Sequence, residues 1–205
     1  RQRQMCIRDR HRHELKNAVY KTMGDIAITL YVHAGTLKNG ITYLKVRSEY
    51  LEAWGLEKDD VLHEALLNSY RILPPRIYDF KKMMYTPGYA GEDFLNMDPY
   101  FISDKKKKEG ICLSVKGLSN GAVAVLYPGV IKKLVEFMDG GFYVVFSSVH
   151  EALIYSSKLC SLEELENLLR TSNARMTFQK EFLTDKVYYY CKEEDKFIML
   201  RGSMK

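Results

Sequence analysis

The stretch Gly121–Ser157, GAVAVLYPGVIKKLVEFMDGGFYVVFSSVHEALIYSS, constrains the fold more than any other, because it is apolar enough to be core and its punctuation cuts it into short pieces. Ala122–Tyr127 is an apolar run too short for a helix and is stopped by Pro128-Gly129, which predicts a buried strand. Pro128 suits the first turn of the next helix, where a missing N–H costs nothing. Val130, Ile131, Leu134, Val135 and Met138 recur at helical spacing, with Lys132, Lys133 and Glu136 on the other side, so an amphipathic helix is expected to lie on a sheet. Asp139-Gly140-Gly141 stops it. Phe142–Phe146 and Glu151–Tyr155 are rich in β-branched and aromatic residues and predict two strands, joined by the bend Ser147-Ser148-Val149-His150.

Around this centre the chain supplies further elements. Residues 11–24 have a weak helical pattern. Asp25–His33 and Ile41–Arg47 predict a hairpin through the Lys38-Asn39-Gly40 turn signal. A helix is expected from about Glu57 to Ile72, with Val61, Leu62, Ala65, Leu66 and Tyr70 buried and Asp59 and Asp60 favouring its dipole. Leu73-Pro74-Pro75 ends it. Arg76–Gly110 is read as an irregular connection with a loop lysine run, and Ile111–Lys116 as a strand. Ser161 and Glu164 have capping-box spacing before a helix with Leu162, Leu165, Leu168 and Leu169 on its apolar face. Lys186–Cys191 and Phe197–Leu200 predict a closing hairpin. The fold class is therefore α+β, with mostly antiparallel sheets packed against three or four amphipathic helices. In terms of portions, 11–110 is a hairpin-plus-helix part with its irregular connection. Residues 111–205 form a β-β-α-β-β-α-β-β part, the two expected to make one compact unit.

Residues 1–10, RQRQMCIRDR, resemble a translated transposon adapter used in sequencing libraries over Gln4–Asp9. They are expected to be non-native and the native N-terminal region to be missing. The exclusion changes the electrostatics. The chain holds 31 Lys+Arg and 26 Asp+Glu, a net charge of +5, but four of those arginines and one aspartate lie in the first ten residues, leaving a net charge of +2. Most of the support for a nucleic-acid partner goes with them.

Several chemistries find no motif. Cys112, Cys160 and Cys191 are scattered, without a C-x-x-C, which suits the cytoplasm and neither a zinc site nor a disulfide framework. No apolar run is long enough to cross a bilayer. His63-Glu64 and His150-Glu151 each begin like H-E-x-x-H but have an aliphatic residue where the second ligand belongs, so no metal site is expected. No phosphate-cradling glycine loop occurs, and no cofactor is expected.

The catalytic candidates are Ser147, Ser148, His150 and Glu151, because a nucleophilic serine needs a base and an orienting acid beside it. In an extended segment Ser148 and His150 would share one face, with Ser147 and Glu151 on the other, which splits a three-member relay. The competing structural role is to satisfy backbone groups at a tight bend. The binding candidates are Tyr85, Tyr89, Tyr100, Lys105, Lys106, Lys107 and Lys108, drawn from the irregular segment, since exposed aromatic rings beside lysines favour macromolecular contacts. The expectation is a cytoplasmic macromolecule-binding or regulatory module, with an unidentified protein partner favoured, nucleic acid a weaker choice, no membrane, and an enzyme disfavoured. The alternative is a hydrolase using Ser148 and His150.

Asp25-Ile26-Ala27-Ile28, the segment from Trp54-Gly55-Leu56 to Asn68, and Leu118-Ser119-Asn120 with Gly121-Ala122 carry a resemblance, continued by Leu126-Tyr127-Pro128-Gly129, Ser147–Glu151 and Leu183–Tyr188. In this order they are similar to the successive blocks of a bacterial family met mainly in gut Firmicutes, domain-of-unknown-function family 5688. The chain has Phe146 where that family usually has proline, and Leu183-Thr184-Asp185 in place of LSD. The resemblance implies no established activity.

Overall fold

A computed structural model describes residues 2–8, 15–37, 40–175 and 181–200. Its framework is two antiparallel sheets. In the first, β3 (Ile26–Leu37) pairs with β1 (Gln2–Arg8) along one edge and with β2 (Tyr20–Met23) and β4 (Gly40–Lys45) along the other. Residues read from sequence as lying outside the domain thus run as β1 beside β3, with Gln2 opposite Val32 and Arg8 opposite Ile26. The expected hairpin is present, and its Lys38-Asn39 turn lies outside the described residues. Residues 20–23 correct the helical expectation. A strand edge of β3 supplies their hydrogen-bond partners, and pairing overrides a weak local preference.

The second sheet has seven strands: β5 (Pro75–Tyr78), β6 (Glu92–Asp93), β7 (Ile111–Val115), β8 (Phe142–Val145), β9 (Ala152–Ser156), β10 (Val187–Cys191) and β11 (Lys196–Met199). Their spatial order is β11-β10-β8-β9-β7-β5-β6. Two of these strands precede residue 111. The supposedly irregular connection therefore contributes a strand pair, because β5 finds its partner in β7, with Ile77 opposite Leu113.

Among the described residues there are also six α-helices: α1 (Ser48–Trp54), α2 (Lys58–Ile72), α3 (Phe80–Tyr85), α4 (Asp104–Glu109), α5 (Val130–Met138) and α6 (Leu162–Arg175). Val61, Leu62 and Ala65 of α2 are buried in one cluster with Leu30 of β3 and with Val19 and Val46, which adjoin β2 and β4. Leu66 and Tyr70 are partly buried against the main core. That core joins Ile26 and Ile28 of β3 to Val144, Ile154 and Tyr188 of the second sheet and to Leu134 and Phe137 of α5. The strand period turns Val145, Tyr155 and Val187 the other way, where Leu165 and Leu169 of α6 cover them. Ser161 and Glu164 form the expected capping box, with Glu164 N–H donating to Ser161 Oγ at 3.3 Å and Ser161 N–H to Glu164 Oε2 at 2.9 Å. Leu168 departs from the expected apolar face and is exposed.

Gly121–Leu126 corrects another expectation: it is a buried 3-10 helix, not a strand. Both edges of β7 are taken by β5 and β9, so no ladder is open to the segment. A run buried on every side also hides its period. Gly121 has no room for a side chain, since a Cβ there would lie 2.0 Å from Ser114 Oγ.

A polar latch holds the sheets together. Asp25, at the start of β3, accepts from Tyr188 OH at 2.6 Å and from Thr184 Oγ1 at 2.8 Å, while its own N–H donates to Tyr188 OH at 3.0 Å. Gly24 at φ +57 lets the backbone approach, because a Cβ would sit 2.4 Å from that phenolic oxygen.

Candidate functional site

The two clusters singled out by sequence meet different fates. At the bend, Ser147 Oγ donates to Glu151 Oε1 at 2.7 Å, and His150 N–H donates to Ser148 Oγ at 3.0 Å. The imidazole accepts the Asn120 N–H at Nδ1 (3.1 Å) and turns Nε2 toward Glu181 Oε1 at 3.5 Å. Ser114 Oγ donates to the His150 carbonyl at 2.6 Å, Ala122 N–H to that of Val149 at 3.2 Å, and Val149 N–H to that of Glu181 at 2.9 Å. These bonds stitch β7, the 3-10 helix and the segment after α6 to a single turn. Both serines are buried, and the ring nitrogens of His150 face Asn120 and Glu181. The Ser148 hydroxyl thus meets the backbone N–H of His150 and not its ring.

The segment between β5 and β7 builds a concave site instead. Asp79 follows β5 and caps α3, accepting from Lys81 N–H at 2.9 Å and Lys82 N–H at 3.2 Å. Ser103 caps α4, with Asp104 in its first turn and lysines in its last, the arrangement the helix dipole favours. Lys105–Lys108 therefore lie on a helix, which corrects the loop expected for them. Gly110 ends α4 at φ +96 against the Tyr155 ring, which a Cβ would approach to 2.5 Å. Between α3, β6 and α4 opens a cleft of about 950 Å³ at the end of the sheet. Its floor is apolar, made by the buried side chains of Ile77, Ile102 and Ile111. Phe80 and Phe101 stand at its lip, 53% and 81% exposed. Beside it lies a depression of about 320 Å³ lined by Met83, Met84, Tyr85, Leu118 and, shared with the cleft, Tyr89.

Three of the four lysines lining the cleft are paired within it. Lys106 Nζ meets Asp79 Oδ2 at 2.9 Å, Lys82 Nζ meets Glu92 Oε1 at 2.9 Å, and Lys105 lies 3.7 Å from Glu109. The Lys106 ammonium, helped by the backbone N–H groups it caps, holds the Asp79 carboxyl down at about 2. Burial pushes the Tyr89 phenol up. Its hydroxyl accepts the Asp79 N–H at 3.3 Å, and its ring meets Tyr78 edge-on at 6.0 Å. Of the binding candidates, Tyr89, Lys105 and Lys106 line the cleft and Tyr85 the depression. Tyr100 is 96% exposed on the 3-10 turn Pro99–Phe101, whose N-cap is Asp98. Lys107 pairs with Asp104 at 3.4 Å, and the Lys108 carbonyl receives the Cys160 thiol. Asp79, Phe80 and the isoleucine floor are additions that sequence reasoning missed. Only Asp79, a capping residue ahead of an apolar run, left a local signal. Among the described residues no group of three His, Cys, Asp or Glu is placed to hold a metal ion, and no helix is long and apolar enough to cross a membrane.

Fold and site together define an α+β protein of two antiparallel sheets with an aromatic-lipped cleft at one sheet end. The chain belongs to a family of unknown function (DUF5688), whose model matches residues 3–192. Searches of curated proteins and of solved structures returned no match.

Proposed function

We propose that the protein acts by binding another protein through the aromatic surface of the segment between β5 and β7. The observation that carries this is the exposure of Phe80, Met84, Tyr85, Tyr100 and Phe101, all contributed by one connection beside the cleft. Large apolar side chains clustered at a surface gain nothing for the fold and are the raw material of interfaces. Residues 76–110 hold seven basic and six acidic groups, so they present no field suited to a polyanion. The free thiols of Cys112, Cys160 and Cys191 support a cytoplasmic setting. A hydrolase using Ser148 and His150 is the less favoured alternative, because the Ser148 hydroxyl accepts the His150 backbone N–H while the imidazole faces Asn120 and Glu181. The adapter origin proposed for residues 1–10 rests on the match from Gln4 to Asp9, and sequencing the encoding locus tests it.

The binding test places a photo-cross-linking phenylalanine derivative at Tyr100 in a lysate of the source organism. The adduct is identified by mass spectrometry and the purified partner titrated against Tyr85→Ala and Phe101→Ala. Weakened binding by both variants is expected. A fluorescent single-stranded oligonucleotide of about 20 bases is the counter-probe. Tight, salt-sensitive binding of it, with no protein adduct, would overturn the proposal.

A further inference from the structure

We infer that the cleft and the depression beside it form one groove that takes a polypeptide segment of low net charge through two apolar anchors, one on either side of Tyr89. The inference rests on the protein-binding proposal above and adds the form of the partner. Tyr89 lines both cavities and is held from three directions: by the Asp79 N–H, by the Tyr78 ring, and by Lys82 Nζ at 5.6 Å from its centroid. It is therefore a fixed ridge. A compact ligand fills the space on one side of such a ridge, whereas only a chain reaches over it into both.

Charge decides what kind of chain. Three of the four lysines in the cleft lining already face Asp79, Glu92 and Glu109, and the fourth, Lys81, is offset in the same lining by Asp93 and Asp98. An occupant would have to break those pairs to use the lysines, so a neutral segment with apolar side chains fits the groove better. On one side its anchor would rest on the Ile77, Ile102 and Ile111 floor beneath Phe101. On the other it would meet Met84, Tyr85 and Leu118. Leu118 is held at φ +56, where glycine is far more at ease, with its N–H donating to the Val115 carbonyl at 3.0 Å. A branched apolar side chain at that position lines the depression at the expense of backbone comfort.

The test selects phage-displayed random peptides of about 12 residues on the full chain and measures the enriched peptides by fluorescence anisotropy. Enriched sequences should carry two apolar residues separated by a short spacer. Phe101→Ala and Met84→Ala should each weaken binding at least about tenfold. Leu118→Gly should weaken it likewise without lowering the thermal midpoint, which separates a lost anchor from a damaged fold. Peptides that respond to Phe101→Ala but not to Met84→Ala or Leu118→Gly would overturn the two-anchor groove and leave the protein-binding proposal standing. Enriched peptides insensitive to all three variants, or no enrichment at all, would overturn that proposal as well.

Discussion

Removing one oxygen atom from Tyr188 should loosen the join between the two sheets. In Tyr188→Phe, the Asp25 carboxylate loses a donor at 2.6 Å and the Asp25 N–H loses its acceptor at 3.0 Å. Thr184 Oγ1 remains, at 2.8 Å, so the carboxylate is not stranded. A hydrogen bond to a charged group contributes about 1.5–3 kcal/mol and an orphaned part-buried N–H costs about 1 kcal/mol more, so the expected loss is roughly 2–4 kcal/mol. At this chain length that lowers the thermal midpoint by about 5–15 °C. Urea unfolding followed by circular dichroism gives the free energy, and calorimetry the midpoint. A double-mutant cycle with Gly24→Ala sharpens the test. The added methyl would lie 2.4 Å from the phenolic oxygen but 3.0 Å from the nearest ring carbons, so alanine should be less damaging when the oxygen is gone. Strain at φ +57 is common to both backgrounds and cancels. A Tyr188→Phe loss under about 0.5 kcal/mol, or effects that simply add, would refute the latch.

Two further outcomes follow from titratable groups. Asp79 sits at about 2 instead of its ordinary 3.8, chiefly through Lys106, so its contribution to stability is complete above the ordinary value and is lost as pH falls through the folded one. Asp79→Asn keeps a capping oxygen and removes the charge; the urea midpoint should then fall less steeply between about pH 4 and 2 than in the parent, and parallel curves would contradict the pairing. Burial, with Glu151 adding to it, pushes the Cys112 thiol up to about 12, so iodoacetamide at about pH 8 should leave Cys112 unlabelled in the native protein and label it on unfolding. Labelling of native Cys112 as fast as that of half-buried Cys160, read by peptide mass spectrometry, would show that β7 is more open than its packing indicates.

Local order was legible where the residues themselves carried the instruction. The α2 and α5 stripes, the Ser161–Glu164 box, the β8–β9 bend and the β10–β11 hairpin follow from side-chain period and turn chemistry. At the site, sequence named Tyr85, Tyr89, Tyr100 and the lysines of α4 but not the shape they border, since the floor joins Ile77 to Ile111 across 34 positions of chain. At the bend, the same four residues suggested two chemistries. Only the positions of Asn120, Ser114 and Glu181 showed which atoms the imidazole and the His150 carbonyl meet.

By itself, then, the sequence determined the α+β class, the antiparallel pairing and most of the regular elements, because hydrophobic period and glycine or proline punctuation act within a few residues. Tertiary structure decided that Tyr20–Met23 is a strand, that Gly121–Leu126 coils beside a strand, β7, whose two edges are already paired, and that an irregular run folds into the walls of a cleft. Tyr20–Met23 pairs with the neighbouring Ile26–Thr29 across a tight turn that its weak helical pattern does not announce; for the 3-10 segment and the cleft the partners and the burial come from segments far away in the chain, and no local pattern can announce a neighbour it does not contain.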